Sequence, residues 1–113
     1  RVTATVSSNG ITAELTRQGP FVYANITLDK ATGNGAKTCT TDDGIVPEMY
    51  RPIFRASINP TTQEPDNSQA LRYLCEVTPT GQIRIVISGA LNNNYQSFRG
   101  TYLTAYEQFN VFK

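Results

Sequence analysis

Side chains capable of acid–base or nucleophilic chemistry are sparse in this chain of 113 residues. It contains no histidine, which removes Ser-His and Cys-His nucleophilic pairs and the HExxH zinc motif. Asp42-Asp43-Gly44, with Glu48 nearby, could form a cation loop or half of a glycosidase carboxylate pair. Adjacent Asp side chains usually diverge, so this segment is predicted to be a turn. The sequence therefore favours a protein that is not an enzyme and uses no metal or cofactor.

The sequence does not decide whether the two cysteines are free thiols or form a disulfide. Cys75 alternates with Leu71, Tyr73 and Val77, the pattern of a small buried hydrophobe in a strand. Cys39 is predicted to lie in a Thr-rich loop, and a disulfide between the two is possible but cannot be inferred from sequence. Reduced thiols would suit a protein assembled in a cytoplasm.

What remains is binding chemistry. The chain has six Tyr and five Phe without Trp, and a Tyr ring with its hydroxyl suits sugar rings and protein interfaces alike. The net charge is +1, with Lys and Arg scattered singly, so nothing indicates a nucleic acid or an anionic membrane as partner. No apolar run approaches the roughly 20 residues that span a bilayer. Loops rich in Asn, Gln, Thr and Arg would supply the hydrogen-bond donors and acceptors that a polyol needs, although each loop taken singly also fits an ordinary solvated loop.

The elements that would position a binding site are strands. The chain holds 15 Thr, which favour strands, and 9 Asn, which favour turns. Period-two alternation predicts a hairpin about the turn at Ser8 to Gly10, a strand over 22–28, a second hairpin of 70–77 with 82–88, and strands over 98–105 and 109–112. Residues 29–47 and 59–68 are predicted to be loops, 91–95 a turn, and 47–59 an extended segment with an edge position or a bulge at Pro52.

No stretch has a sustained helical period with caps. About eight short strands, with turn signals every 8 to 12 residues, predict an all-β fold. We expect one domain over 1–113, a compact antiparallel β-barrel or Greek-key sandwich.

Three segments of the C-terminal half stand in a characteristic order and spacing: Arg51-Pro52-Ile53-Phe54-Arg55-Ala56, then Thr78-Pro79-Thr80-Gly81-Gln82-Ile83, then Arg99-Gly100 with an end at Phe112-Lys113. Together, over roughly residues 47–113, they resemble the head domain of receptor-binding proteins from lactococcal tailed phages. The resemblance implies a β-barrel head, forming the C-terminal part of a longer chain. It also implies a homotrimer at the tail tip of the virion, assembled in the host cytoplasm and joined to other baseplate proteins through the preceding part.

Such heads grip bacterial cell-wall saccharide without catalysis, and the resemblance extends to particular residues. The arginine that precedes a glycine in the family's pocket falls on Arg99, and the family's Asp falls on Glu76. The family's His falls on Leu74 and its Trp on Ile85 or Val86, so two contacts are missing. A displaced site using Tyr95, Tyr102 and Asn93, within the Asn92–Asn94 run, would follow.

The leading hypothesis is therefore a phage adhesin head that recognises host saccharide during adsorption. The alternative is a structural domain that trimerises or caps a virion fibre or baseplate without touching the receptor. A tailspike-like enzyme fits less well, because the chain is small and lacks His and a convincing acid pair.

Overall fold

The computed structural model describes residues 1–34, 37–60, 72–88 and 90–104. Side chains are described at all of these positions except 29–34, 37, 60, 72–73, 88 and 90–96, where only the backbone is described. These residues form eight strands and one short 3-10 helix, Glu48–Tyr50. The strands are β1 Val2–Ser8, β2 Ile11–Gln18, β3 Phe21–Asn34, β4 Lys37–Thr40, β5 Ala56–Pro60, β6 Arg72–Val77, β7 Ile83–Ser88 and β8 Ala90–Leu103. No helix of the described part is long and apolar enough to cross a membrane.

All neighbouring strands pair antiparallel, in the order β1-β2-β3-β8-β5-β6-β7-β4. The two ends of this order come together where the β1–β2 turn meets the end of β4. There the Asn9 side-chain amide donates to the Thr40 carbonyl at 2.9 Å, and the Asp42 backbone N–H donates to the Ser8 hydroxyl at 3.0 Å. The sheet is therefore a nearly closed eight-stranded barrel, and the predicted all-β barrel fold is confirmed.

The barrel interior is the hydrophobic core, because alternate residues of each strand point inward. On β7 these are Ile83, Ile85 and Ile87, which are almost completely buried, as the alternation predicted. The segment between β4 and β5 crosses one end of the barrel and adds the buried side chains of Val46 and Tyr50.

For two segments, the predictions of a loop and of a turn are wrong. Part of the predicted loop over 29–47 is strand, since β3 continues to Asn34 and β4 follows at Lys37. The predicted turn over 91–95 is also strand, because Leu91 pairs with Gly33 and Asn94 with Ala31 within one continuous β8. The predicted hairpins about Ser8–Gly10 and between β6 and β7 are confirmed. Most of the 59–68 loop and the 109–112 strand lie outside the described residues.

The cysteines occupy positions that exclude a bond between them in this fold. Cys39 on β4 and Cys75 on β6 both lie opposite Ile85, one on each side of β7. Two strand spacings put their Cα atoms roughly 10 Å apart, beyond the about 7 Å that a disulfide can bridge. Both are free thiols. Burial raises the pKa of Cys75 to about 12, with a further contribution from the neighbouring Glu76 carboxylate.

Candidate functional site: a pocket between β5 and β8

The alternation of the strands places both charged residues carried over from the resemblance on the outer wall of the barrel. Ile58 of β5 and Cys75 of β6 lie opposite each other and are buried. The residues that flank them therefore point outward, including Glu76 of β6. By the same alternation Arg99 of β8, next to the buried Phe98, is exposed on the outer wall.

Glu76 is held by two arginines rather than by Arg99. Its Oε1 lies 3.4 Å from a terminal nitrogen of Arg84, which is its partner in register on β7, and its Oε2 lies 4.0 Å from a terminal nitrogen of Arg55. The Glu76 side chain is only 11% exposed, whereas those of Arg84 and Arg55 are 43% and 64% exposed. Because the arginines are largely in water, these ion pairs contribute little to stability. They do place two partly exposed guanidinium groups beside one largely buried carboxylate.

Arg99 lies on a different strand from this cluster. It is opposite Asn59 of β5 and Asn25 of β3, so β5 lies between Arg99 and Glu76. Two strand spacings separate the two side chains by at least about 10 Å at their bases. Glu76 and Arg99 therefore share the outer wall but do not form a single carboxylate–guanidinium clamp.

A pocket opens between β5 and β8 because the β5 side has two more residues than the β8 side between two paired positions. Pro52 forms a bridge with Thr104, and Asn59 pairs with Arg99. Between these two points the six residues 53–58 face the four residues 100–103, so two extra residues must bulge outward. The bulge leaves a cavity of about 350 Å³, lined by Pro52, Ile53, Phe54, Arg55, Ala56, Ser57, Thr101, Tyr102 and Leu103.

The rim of this pocket is apolar and open to solvent. Phe54 at the tip of the bulge is 80% exposed, an unusual position for a phenyl ring. Leu103 of β8 and Phe21 of β3 lie opposite each other on the outer wall, and both are about half exposed. Polar groups come from the Ser57 and Thr101 positions and from the Arg55 guanidinium, which connects the pocket to Glu76. An apolar surface with a few converging polar groups is the usual make-up of a ligand site.

Tyr102 lines the pocket but points into the barrel. Its side chain is buried, and its hydroxyl donates a 2.7 Å hydrogen bond to the carbonyl of Tyr50. Burial raises the pKa of this phenol. Tyr102 thus contributes ring surface to the inner wall, while its hydroxyl is used inside the fold.

The other two predicted saccharide contacts lie away from the pocket. Asn93 and Tyr95 belong to the first half of β8, which pairs with the far end of β3. Their side chains lie outside the described residues. Along β8 they are at the opposite end from Thr101 and Leu103, so the backbone does not bring them to the bulge.

Sequence reasoning did not single out Phe54 and Arg55 as site residues. The available signal was Pro52 in an extended run, which predicted an edge strand or a bulge. The bulge is present, and β5 is an internal strand paired with both β6 and β8.

The Asp42–Asp43 segment and its neighbours are the candidate positions for a cation loop. Asp43 lies in a turn, as predicted, and its Oδ1 accepts a hydrogen bond from the Thr80 hydroxyl at 3.1 Å. Within the described ranges, no three His, Cys, Asp or Glu residues lie together in a way that could hold a metal ion. The arrangement at the pocket is suited to holding a ligand by contact and hydrogen bonding.

No protein-family model matches this chain, and no curated protein is significantly similar to it.

Proposed function

We propose that this domain is a non-catalytic, carbohydrate-binding head that recognises a saccharide of the bacterial cell surface at the pocket between β5 and β8. The observation that carries the proposal is the position of Phe54 and Arg55 at the mouth of a cavity of about 350 Å³. An exposed phenyl ring offers an apolar face for a sugar ring, and guanidinium, carboxylate and hydroxyl groups beside it can exchange hydrogen bonds with sugar hydroxyls.

Arg55 and Glu76 have complementary roles in this proposal. The largely buried Glu76 carboxylate lies 4.0 Å from a terminal nitrogen of Arg55 and attracts it, which would favour one orientation of this long side chain and lower the entropy lost on binding a ligand. Arg55 then presents its remaining donors toward the cavity that it lines. A charged donor to a sugar hydroxyl is stronger than a neutral one.

The biological setting follows from the resemblance and is part of the proposal. The head would be displayed as a homotrimer at the tip of a phage tail, attached to other baseplate proteins. Hydrogen bonds to a sugar replace bonds to water, so the affinity of one pocket should be weak. Several heads on one virion would raise the avidity about 10²–10⁴-fold through their high effective concentration.

The test is binding of fluorescently labelled protein to intact lactococcal cells, with soluble cell-wall saccharide as competitor. We expect saturable, competed binding that Phe54→Ala abolishes. Because Phe54 is 80% exposed, the variant should melt at the same temperature as the parent protein. Val2→Ala, an apolar truncation on the exposed edge of β1, is the matched control and should bind normally.

Normal binding by a folded Phe54→Ala variant would refute the pocket as the site. Absence of binding by a protein confirmed as a trimer would favour the structural cap of a fibre or baseplate. Release of soluble sugar from host walls would instead indicate an enzyme.

A further inference from the structure

A row of four polar residues crosses the outer wall of the barrel next to the pocket. Asn59 of β5 lies opposite Arg99 of β8, which lies opposite Asn25 of β3, which lies opposite Glu14 of β2. Residues in register on adjacent strands point to the same face, so these four side chains form one continuous strip, called here the wall strip. Three strand spacings give it a length of about 14 Å.

The hydrogen bonds within the wall strip are incomplete. The Asn25 side-chain nitrogen donates to Glu14 Oε1 at 3.1 Å, but Asn25 Oδ1 is buried and has no partner. The guanidinium of the exposed Arg99 forms no hydrogen bond or ion pair with another described residue. A buried polar atom without a partner calls for a specific explanation, such as a ligand or a water that completes the site.

The charges along the wall strip favour an uncharged ligand. Arg99 and Glu14 lie on either side of Asn25 and carry opposite charges, so the strip has no net charge to attract a polyion. Arg99 supplies only donors, Glu14 only acceptors, and the two Asn residues supply both. Hydroxyl groups, which donate and accept, can satisfy every one of these residues.

The adjacent row of the same face connects the wall strip to the pocket. Thr101, which lines the pocket, lies opposite Tyr23 of β3. Tyr23 is 45% exposed and is two residues from Asn25 on the same side of the strand, so its ring lies beside the strip. A chain of sugar rings leaving the pocket over Thr101 would meet an aromatic face at Tyr23 and polar side chains at Asn25 and Glu14.

We infer that the wall strip is a second subsite for the same saccharide, which is therefore an uncharged, linear oligosaccharide that runs from the pocket across β8 and β3 toward β2. This inference rests on the proposed function. The span of about 14 Å is longer than one sugar ring, so several linked rings are needed to reach Glu14 from the pocket. Selectivity for chain length then comes from Tyr23, Asn25 and Glu14.

The experiment measures affinity by calorimetry for cell-wall saccharide fragments that have been separated by length. The parent protein should bind long fragments more tightly than the shortest fragment that binds. Glu14→Ala should weaken the binding of long fragments about five-fold and leave the shortest unchanged, because one hydrogen-bonded contact of about 1 kcal/mol is lost. Glu48→Ala, which removes an exposed glutamate away from the strip, should change neither.

The outcomes separate this inference from the proposed function. Equal affinity for all lengths, or normal binding of long fragments by both Glu14→Ala and Tyr23→Ala, would refute the wall strip while leaving the pocket in place. If either of these results is found and Phe54→Ala also loses all binding, recognition is confined to the pocket. If the parent protein binds no fragment, the pocket proposal fails and the wall strip fails with it. Affinity that falls steeply with added salt would refute an uncharged ligand.

Discussion

Gly81 and Gly10 have similar backbone conformations but very different surroundings, which makes them a sensitive test of the fold. Both are left-handed, with φ of +92° for Gly81 and +84° for Gly10. A Cβ added at Gly10 would have nothing within 4 Å, whereas one at Gly81 would lie 2.7 Å from Arg51 Nε and 2.8 Å from the Val46 carbonyl oxygen. Gly10→Ala therefore measures backbone strain alone, and Gly81→Ala measures strain plus a steric clash.

The cost of each substitution can be worked out from these contacts. An alanine in the left-handed region costs about 1–2 kcal/mol, so Gly10→Ala should lower the free energy of unfolding by about that amount. At Gly81 the new methyl group must also displace Arg51, whose Nε donates a 2.8 Å hydrogen bond to the Val46 carbonyl. Loss of such a charged, partly buried bond adds about 2 kcal/mol, and the contact with the Val46 oxygen adds a further cost. At about 4 °C per kcal/mol, Gly81→Ala should therefore melt at least roughly 8 °C below Gly10→Ala.

The assay is urea unfolding and thermal melting of both variants and of each combined with Arg51→Ala. In the Arg51→Ala background the clash with the guanidinium is gone and the Val46 oxygen remains. The extra cost of Gly81→Ala should then shrink without vanishing, while that of Gly10→Ala stays constant because the two sites share no contact. Equal destabilisation by Gly10→Ala and Gly81→Ala in the parent protein would refute this account of the turn.

Two further predictions concern buried titratable groups. Tyr102→Phe should lower the free energy of unfolding by about 1–3 kcal/mol, because the buried Tyr50 carbonyl loses its hydrogen-bond donor. The control Tyr23→Phe, on the outer wall, should leave the free energy of unfolding unchanged. Equal melting temperatures for the two variants would contradict the hydrogen bond assigned to Tyr102. Stability should also fall as the pH rises above about 9, since the pKa of Cys75 is raised by folding from 9.0 to about 12 and the unfolded chain therefore loses its thiol proton first. Between about pH 10 and 11 the slope from this thiol should approach about 1.4 kcal/mol per pH unit, and in that range the stability of Cys75→Ala, measured by urea unfolding, should fall less steeply with pH than that of the parent protein by this amount.

Local signals in the sequence were sufficient for the tight hairpins. Asn9-Gly10 predicted the β1–β2 turn because both residues tolerate positive φ, and both adopt it, at 53° and 84°. The run of three Asn at 92–94 is a comparable local signal, yet it failed. There the backbone pairs with the end of β3, and the interstrand hydrogen bonds outweigh the turn preference of Asn.

The candidate site could not be derived from local signals. The pocket depends on two distant pairings, Pro52 with Thr104 and Asn59 with Arg99, and on the mismatch of two residues between them. Pro52 indicated a bulge, but nothing in the sequence gives its partner strand or the direction in which Phe54 points. The same is true of the wall strip, because the alternation shows that Asn25 faces outward without showing that Arg99 lies beside it.

The contacts of Arg51 and Gly81 give both residues a structural role. The Val46 backbone N–H donates to the Gly81 carbonyl at 3.0 Å, and Arg51 Nε donates to the Val46 carbonyl at 2.8 Å. Val46, Arg51 and Gly81 together close one end of the barrel, and none of the three lines the pocket. These residues therefore stabilise the barrel and carry no information about a ligand. The proposed recognition has to be tested elsewhere, at Phe54 on the bulge and along the wall strip.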